Sequence, residues 1–372
     1  MVWIGVSLCL AACLHGLAQT GATAKARQGW PQFRGNPQLT GVSGAELPDE
    51  LALRWKARLP DAVESTAAIV DGWVYVGCND GGLYALNLDD GKEKWKHKTE
   101  SPVRSSPTVA HGVVYSGNDE GVMHALEATT GKVKWTFKTG GEIFSSVNVH
   151  DQRLYFGSYD ENLYCLGIDG KLAWKHPTAG RVHGTPALIE GHVLVAGCDE
   201  FLHVVRANDG MAVRSVDLGS MSGASAAVDG ARVVVGTFGN QVVAVDWKTG
   251  RRLWSFEDPE RPFPFLSSAA ITTEFAVIGG RDKRVRAFDP SDGKVRWSFS
   301  TRGKVDGSPV ICGPRVFFAS EDGVLYAIDL RKGTQSWRYE SGSAFAASPA
   351  LASDLLVIGT LDGDVLCFGS KQ

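Results

Sequence analysis

The chain has no excess of charge of either sign: 38 Lys and Arg stand against 41 Asp and Glu in 372 residues, a formal net charge of -3. Without a basic stripe to displace the counterions of a polynucleotide, the charge argues against a nucleic-acid binder. A cysteine framework is missing too. The seven cysteines are odd in number. Cys9 and Cys13 fall in the apolar N-terminal stretch, and Cys78, Cys165, Cys198, Cys312 and Cys367 stand singly, with no Cys-x-x-Cys spacing for a disulfide or zinc site. Isolated thiols of this kind read as small buried hydrophobes. No apolar run beyond the N-terminus approaches membrane length. Nor is there a Gly-x-Ser-x-Gly elbow, a His-Glu-x-x-His pair or a phosphate loop, so no hydrolase machinery is legible. The Asp-rich turns at 78–82 and 320–323 lack the ligand spacing of a calcium loop and read as Asx-Gly hairpins.

What the chain does have is glycine, 44 residues of it, and short runs of Val, Tyr, Phe and Trp between Asp-Gly and Asn-rich turns, an all-β composition. Its first residues, MVWIGVSLCLAACLHGLAQTGATAKA, read as a secretory signal over 1–24, with cleavage after Ala18 or Ala24, although a basic n-region is missing. Leu10-Ala11-Ala12-Cys13 also has the form of a lipobox, which would make Cys13 an acylated N-terminus. The expectation is an exported protein of the periplasm or cell envelope, with a leader over 25–50.

Self-similarity dominates the remainder. VYVGCNDGGLYALN, VYSGNDEGVMHALE, LYFGSYDENLYCLG and VFFASEDGVLYAID align directly. The small residue closing the first apolar run recurs at Gly77, Gly117, Gly157, Gly197, Gly236, Gly279, Ala319 and Gly359, at intervals of 40, 40, 40, 39, 43, 40 and 40. A second ladder follows Gly-Lys turns: Trp55, Trp95, Trp135, Trp174, Trp254, Trp297 and Trp337, with Arg214 in the remaining place. A large ring at a fixed place in every repeat reads as a structural wedge whose indole N–H finds a backbone acceptor. Four short antiparallel runs per repeat make a propeller blade. The last repeat has no Trp strand, whereas LALRWKARL near Trp55 is an orphan. The N-terminal strand therefore completes the last of eight four-stranded blades over 51–369 and removes exposed edges. The reading is one all-β, eight-bladed β-propeller, monomeric.

The Asp/Thr-Gly-Lys-x-x-Trp element resembles the tryptophan-docking motif of the quinoprotein-type (PQQ-like repeat) propeller family, and the likeness covers 51–368. The leader WPQFRGNPQLTGVS, 30–43, is similar to one that precedes such propellers in exported bacterial proteins. The family implies two branches: large dehydrogenases that hold pyrroloquinoline quinone (PQQ) and calcium over the ring centre, and the smaller BamB-type outer-membrane assembly lipoproteins, which work without cofactor as scaffolds. The adjacent Cys-Cys pair of the dehydrogenases is missing here. So are their long insertions, since the single insertion, of three residues, lies near 257–265. The leading expectation is a non-catalytic envelope scaffold that binds a protein or peptide and needs no cofactor. The alternative is an enzyme, either a PQQ- and calcium-dependent one oxidising alcohols or sugars or a hydrolase using Glu64, His183 or Asp306 around the channel.

Because the repeats are internal copies, a column that varies among them is informative. The entry to the innermost strand reads Glu64, Arg104, Phe144, His183, Ser222, Phe265, Asp306 and Phe345, a ring at one channel mouth where propellers bind ligands. Charge from Arg104, Asp306 and Glu64 with three Phe would give an amphipathic site; a freely drifting loop column is the competing reading. His183 is a lone histidine in a mixed ring and is read as solvated, not metal-bound. Phe263 and Phe265, in the insertion, are the expected exposed anchors for a partner.

Overall fold

The computed structural model describes residues 1–2 and 29–371; the export-signal and lipidation expectations, Cys13 included, lie outside the described residues. Among those residues there is no helix, and the strands form eight sheets around a central bore. The second blade shows the pattern. Val-, Tyr- and Leu-rich runs at Thr108–Ala110, Val113–Gly117, Val122–Glu127 and Val133–Lys138 are separated by tight turns and pair antiparallel from bore to rim. The two middle strands are buried on both faces because each sheet is sandwiched between neighbours. Val113, Tyr115, Met123 and Ala125 of blade two thus share one core with Leu154, Phe156 and Leu166 of blade three. The eighth blade takes Ala350–Ala352, Leu355–Gly359 and Asp364–Gly369 from the C-terminus and Ala52–Arg58 from the N-terminus. Ala52 pairs with Gly369 and Arg58 with Asp364, which closes the ring.

Seven of the eight blades are fastened to the next by a tryptophan. The indole N–H of Trp95 donates to the Ala128 carbonyl at 2.9 Å, and Trp55, Trp135, Trp174, Trp254 and Trp297 make the same bond to the following blade at 2.7–3.1 Å. Trp337 donates to Leu51 at 3.0 Å, carrying the fastening across the closure. The turn that receives the ring needs glycine. Gly131 has φ +71°, and a Cβ there would lie 2.7 Å from the Trp95 ring. In blade four Arg214 takes the tryptophan's place and donates to Lys248 O at 3.1 Å.

One anchor of the repeat is corrected. Gly77 pairs with Leu83 and Gly117 with Met123, but in blade four the equivalent pair is Ala196 and Leu202, not Gly197. The shorter interval therefore falls one repeat earlier, in step with the spacing of Trp135 and Trp174.

The leader is built into the ring. Running under the bore, it exchanges two bonds between Trp30 and Ile69 of blade one, and Pro31 O accepts from Val109 of blade two. Asn148 of blade three reaches Gln32 and Pro37 O through its side chain. Pro37, Gln38, Thr40 and Gly41 carbonyls then accept from Leu188, Val228, Ile271 and Ile311 of blades four to seven. Val42–Ser43 adds a parallel strand to blade seven, and Glu46 N donates to Ser353 O of blade eight. All eight blades are touched in order. Arg34, fully buried, donates to Pro309 O at 2.6 Å and Ala269 O at 2.8 Å, and burial pulls its pKa down to about 9.

Candidate functional site

The opposite face carries the open mouth. Its frame is a belt of hydroxyls at the start of the innermost strands. Thr66 N donates to Ser106 Oγ, Ser106 N to Ser146 Oγ, and the relay continues through Thr185, Ser225, Ser268 and Ser308 to Ser348 at 2.8–3.1 Å. Seven consecutive blade junctions are thereby bridged at the bore, on the inside of the ring from the tryptophans. The belt lines a neck of about 160 Å³ floored by Phe33 of the leader. Above it the bore widens into a cavity of about 320 Å³.

Two residues before each hydroxyl lies the side chain that faces this funnel. The column is Glu64, Arg104, Phe144, His183, Gly223, Leu266, Asp306 and Ala346, all lining the neck. The structure thus brings together Glu64, Arg104, Phe144, His183 and Asp306 of the ring expected from sequence. Ser222, Phe265 and Phe345 are corrected: each is one residue early and buried, at 0%, 1% and 0% exposure, in the wall that Val63, Val103, Ile143, Val182 and Val305 fill in other blades. The slip arises because that wall column is apolar in most blades, and a Phe there imitates a mouth aromatic. Phe265 is therefore no exposed anchor, whereas Phe263 is 49% exposed. The five cysteines among the described residues are free; Cys198 is only half-buried, and the other four are buried.

A second ring, which sequence reasoning missed, comes from the tips of the hairpins between the two middle strands: Asn79, Asp119, Tyr159, Cys198, Phe238, Arg281, Glu321 and Leu361. This column varies from blade to blade as the inner ring does. Its members engage the inner ring blade by blade. Asn79 donates to Glu64 at 2.6 Å. Arg104 spans Glu64 and Asp119 at 3.5 and 3.3 Å. Arg281 grips Asp306 with two bonds of 3.0 and 2.9 Å, and Lys304 bridges Asp306 and Glu321 at 3.3 and 2.9 Å. On the far side Phe144, Tyr159 and His183 cluster at ring separations of 4.7–5.9 Å. Phe238 stands over Gly223, where a Cβ would lie 3.2 Å from its ring.

Burial holds His183 below the ordinary histidine range and pushes Tyr159 up to about 12. The neutral pair is joined by a 2.7 Å hydrogen bond between the Tyr159 hydroxyl and His183 Nδ1. Burial raises the Cys198 thiol, so it is a poor nucleophile. The bidentate bond to Asp306 raises Arg281, and the bond to Glu321 raises Lys304.

A tricarboxylate quinone with calcium does not fit these residues. Arg104, Arg281 and Lys304 are each occupied by carboxylates, and the remaining cation beside the cavity, Arg181 over the Tyr159 ring at 5.1 Å, cannot hold three carboxylates alone. Among the described residues no group of three His, Cys, Asp or Glu could hold a metal ion.

The family model described as outer membrane protein assembly factor BamB matches residues 48–147, 140–262 and 258–371, consecutive stretches that together span the ring. The chain is 34% identical over 135 residues to outer membrane protein assembly factor BamB of Burkholderia pseudomallei, covering 36% of this chain and 34% of that one. It is 30% identical over 144 residues to quinohemoprotein alcohol dehydrogenase ADH IIB of Pseudomonas putida, covering 36% and 19%. These alignments span about a third or less of the relatives' own length. The crystal structure of BamB from Moraxella catarrhalis superposes with a TM-score of 0.74 at 20% identity, covering 87% of this chain and 98% of that one. Quinohemoprotein alcohol dehydrogenase from Comamonas testosteroni superposes at 0.79 with 13% identity, covering 93% and 81%. At such identities the likeness is one of fold.

Proposed function

The chain belongs to the family of outer membrane protein assembly factor BamB, and from that premise we propose that it is a non-catalytic, exported scaffold that docks a protein partner in the cell envelope. The observation that carries this reading is the exposed apolar pair Met221 and Phe263, at 45% and 49%, on crossovers that flank blade five on the open face. Large apolar side chains displayed on a rigid rim suit capture of a partner better than they suit solvent. The Phe263 loop is held from behind: Pro264 O accepts from Arg281 N at 3.0 Å, and Asn240 donates to Asp258 O at 2.8 Å. A preorganised loop loses little entropy on binding. The charges of the mouth neutralise one another instead of activating a nucleophile, which supports the same reading.

Site-specific photo-crosslinking in intact cells tests it. A crosslinker at Phe263 should trap one defined envelope protein, and Met221→Ser should reduce the yield while leaving Tm unchanged. No crosslinked partner from position 263 would reject the rim as the docking surface. Oxidation of an alcohol or aldose by the protein loaded with PQQ and calcium would reject the non-catalytic reading itself.

A further inference from the structure

We propose that the funnel at the centre of the open face binds a neutral sugar ring. The cavity of about 320 Å³ and the neck below it share Glu64, His183, Gly223, Leu266, Asp306 and Ala346, so they form one continuous recess closed at its foot by Phe33. It is small and chemically divided. One arc is aromatic: Phe144 and Tyr159, 4.7 Å apart, and Phe238, 40% exposed. The opposite arcs carry planar polar groups locked in pairs, with Asn79 on Glu64, Arg104 on Asp119 and Arg281 on Asp306.

That pairing weighs against a charged ligand. An ion placed on these pairs would have to compete for a bond and leave its partner's charge uncompensated, and the cation outside them, Arg181, already lies over the Tyr159 ring at 5.1 Å. A neutral polyol need break none. The bidentate Arg281–Asp306 bond uses Nε and one terminal nitrogen of the guanidinium, leaving the other terminal nitrogen as a donor, while each carboxylate keeps spare lone pairs. Hydroxyl groups donate and accept at the same atom and so suit such a mixed rim. Below it, the Oγ atoms from Ser106 to Ser348 already accept one backbone N–H apiece and retain a proton and a lone pair. The aromatic arc supplies what a hydroxyl-lined cup alone would lack, a flat surface for the apolar C–H face of a pyranose.

The sugar recess is distinct from the docking position Phe263, although it adjoins Met221, whose carbonyl accepts from Phe238 N. Calorimetry and ligand-observed NMR on the folded propeller test it with glucose, galactose, mannose and N-acetylglucosamine. Glucuronate and glucosamine serve as charged counterparts, and N-acetyltyrosinamide as a neutral protein-like group. At least one neutral sugar should bind saturably with a millimolar or tighter Kd, about tenfold more tightly than its charged counterpart. Phe238→Ala and the cavity-filling Ala346→Trp should each weaken it by about tenfold or more at unchanged Tm, whereas Phe263→Ser should not alter it. No saturable sugar binding up to about 20 mM, preference for the tyrosine amide, or binding indifferent to both funnel variants would overturn the proposal. Loss of crosslinking at position 263 with sugar binding intact would fault only the docking reading.

Discussion

His124 occupies, in blade two, the place that Tyr84, Tyr164 and Tyr326 hold in blades one, three and seven, where each tyrosine hydroxyl donates to an Asp four residues earlier. The imidazole finds no such partner. Both its nitrogens are unbonded, it faces His97 at 5.4 Å, and burial holds its pKa down to about 4. An unfolded histidine takes up its proton near pH 6.5, so the unfolded chain binds the proton first as pH falls. Stability is whole above pH ~6.5 and is lost toward the folded value of about 4. Thermal melts should thus show Tm falling across that window. His124→Phe should flatten the fall, and an unchanged slope would place the linkage on other groups. Tryptophan and arginine in the docking slot should also differ. Trp95→Ala removes a buried ring and its bond to Ala128 and should cost ~3–5 kcal/mol in urea unfolding. Arg214→Ala removes an exposed side chain with one bond and should cost under ~1 kcal/mol.

At the scale of the element, the inner belt depends on a hydroxyl at one place in each blade. Ser146→Ala leaves Ser106 N–H without its acceptor in a buried site and should cost ~1–3 kcal/mol, whereas Ser146→Thr should be tolerated, since Thr66 and Thr185 hold equivalent places. Chemical-denaturation midpoints read the difference. These elements also show what the sequence could and could not convey. Eight blades, four strands in each and closure by the strand around Trp55 were legible, because period-two runs and Asp-Gly turns act locally. The funnel was legible only in part. Glu64, Arg104, Phe144, His183 and Asp306 stood out as variable residues in a column, but a one-residue slip put Ser222, Phe265 and Phe345 in place of Gly223, Leu266 and Ala346. In a column whose glycine and alanine members leave space, the absence of a side chain carries no compositional signal. The hairpin-tip ring was overlooked because its Asn and Asp members look like ordinary turn chemistry. The path of the leader was beyond reach for a different reason: its bonds run through backbone carbonyls, which no residue type announces.

Taken as a whole, the molecule is a ring fastened at its rim by indoles, at its bore by hydroxyls and underneath by the leader. The leader's own geometry is exacting. Gly41 has φ +63°, and a Cβ there would lie 1.8 Å from the Arg34 guanidinium. Gly41→Ala should therefore dislodge the segment without unfolding the blades, seen as protease cleavage between residues 30 and 46 at unchanged β-sheet circular dichroism. Resistance equal to that of the parent protein would show that the leader accommodates the added Cβ. The leader also has a bearing on how such a chain can evolve. Repeat arrays change size by gaining or losing whole copies, and every blade-to-blade joint here would survive that event. The leader would not, because it spends one short stretch per blade and reaches the eighth just as its run ends. It works as a gauge of copy number: a ninth blade would leave it short, and a seventh would leave it slack. A change in the number of repeats would therefore cost the leader its register, whereas a change in an open-face loop would not.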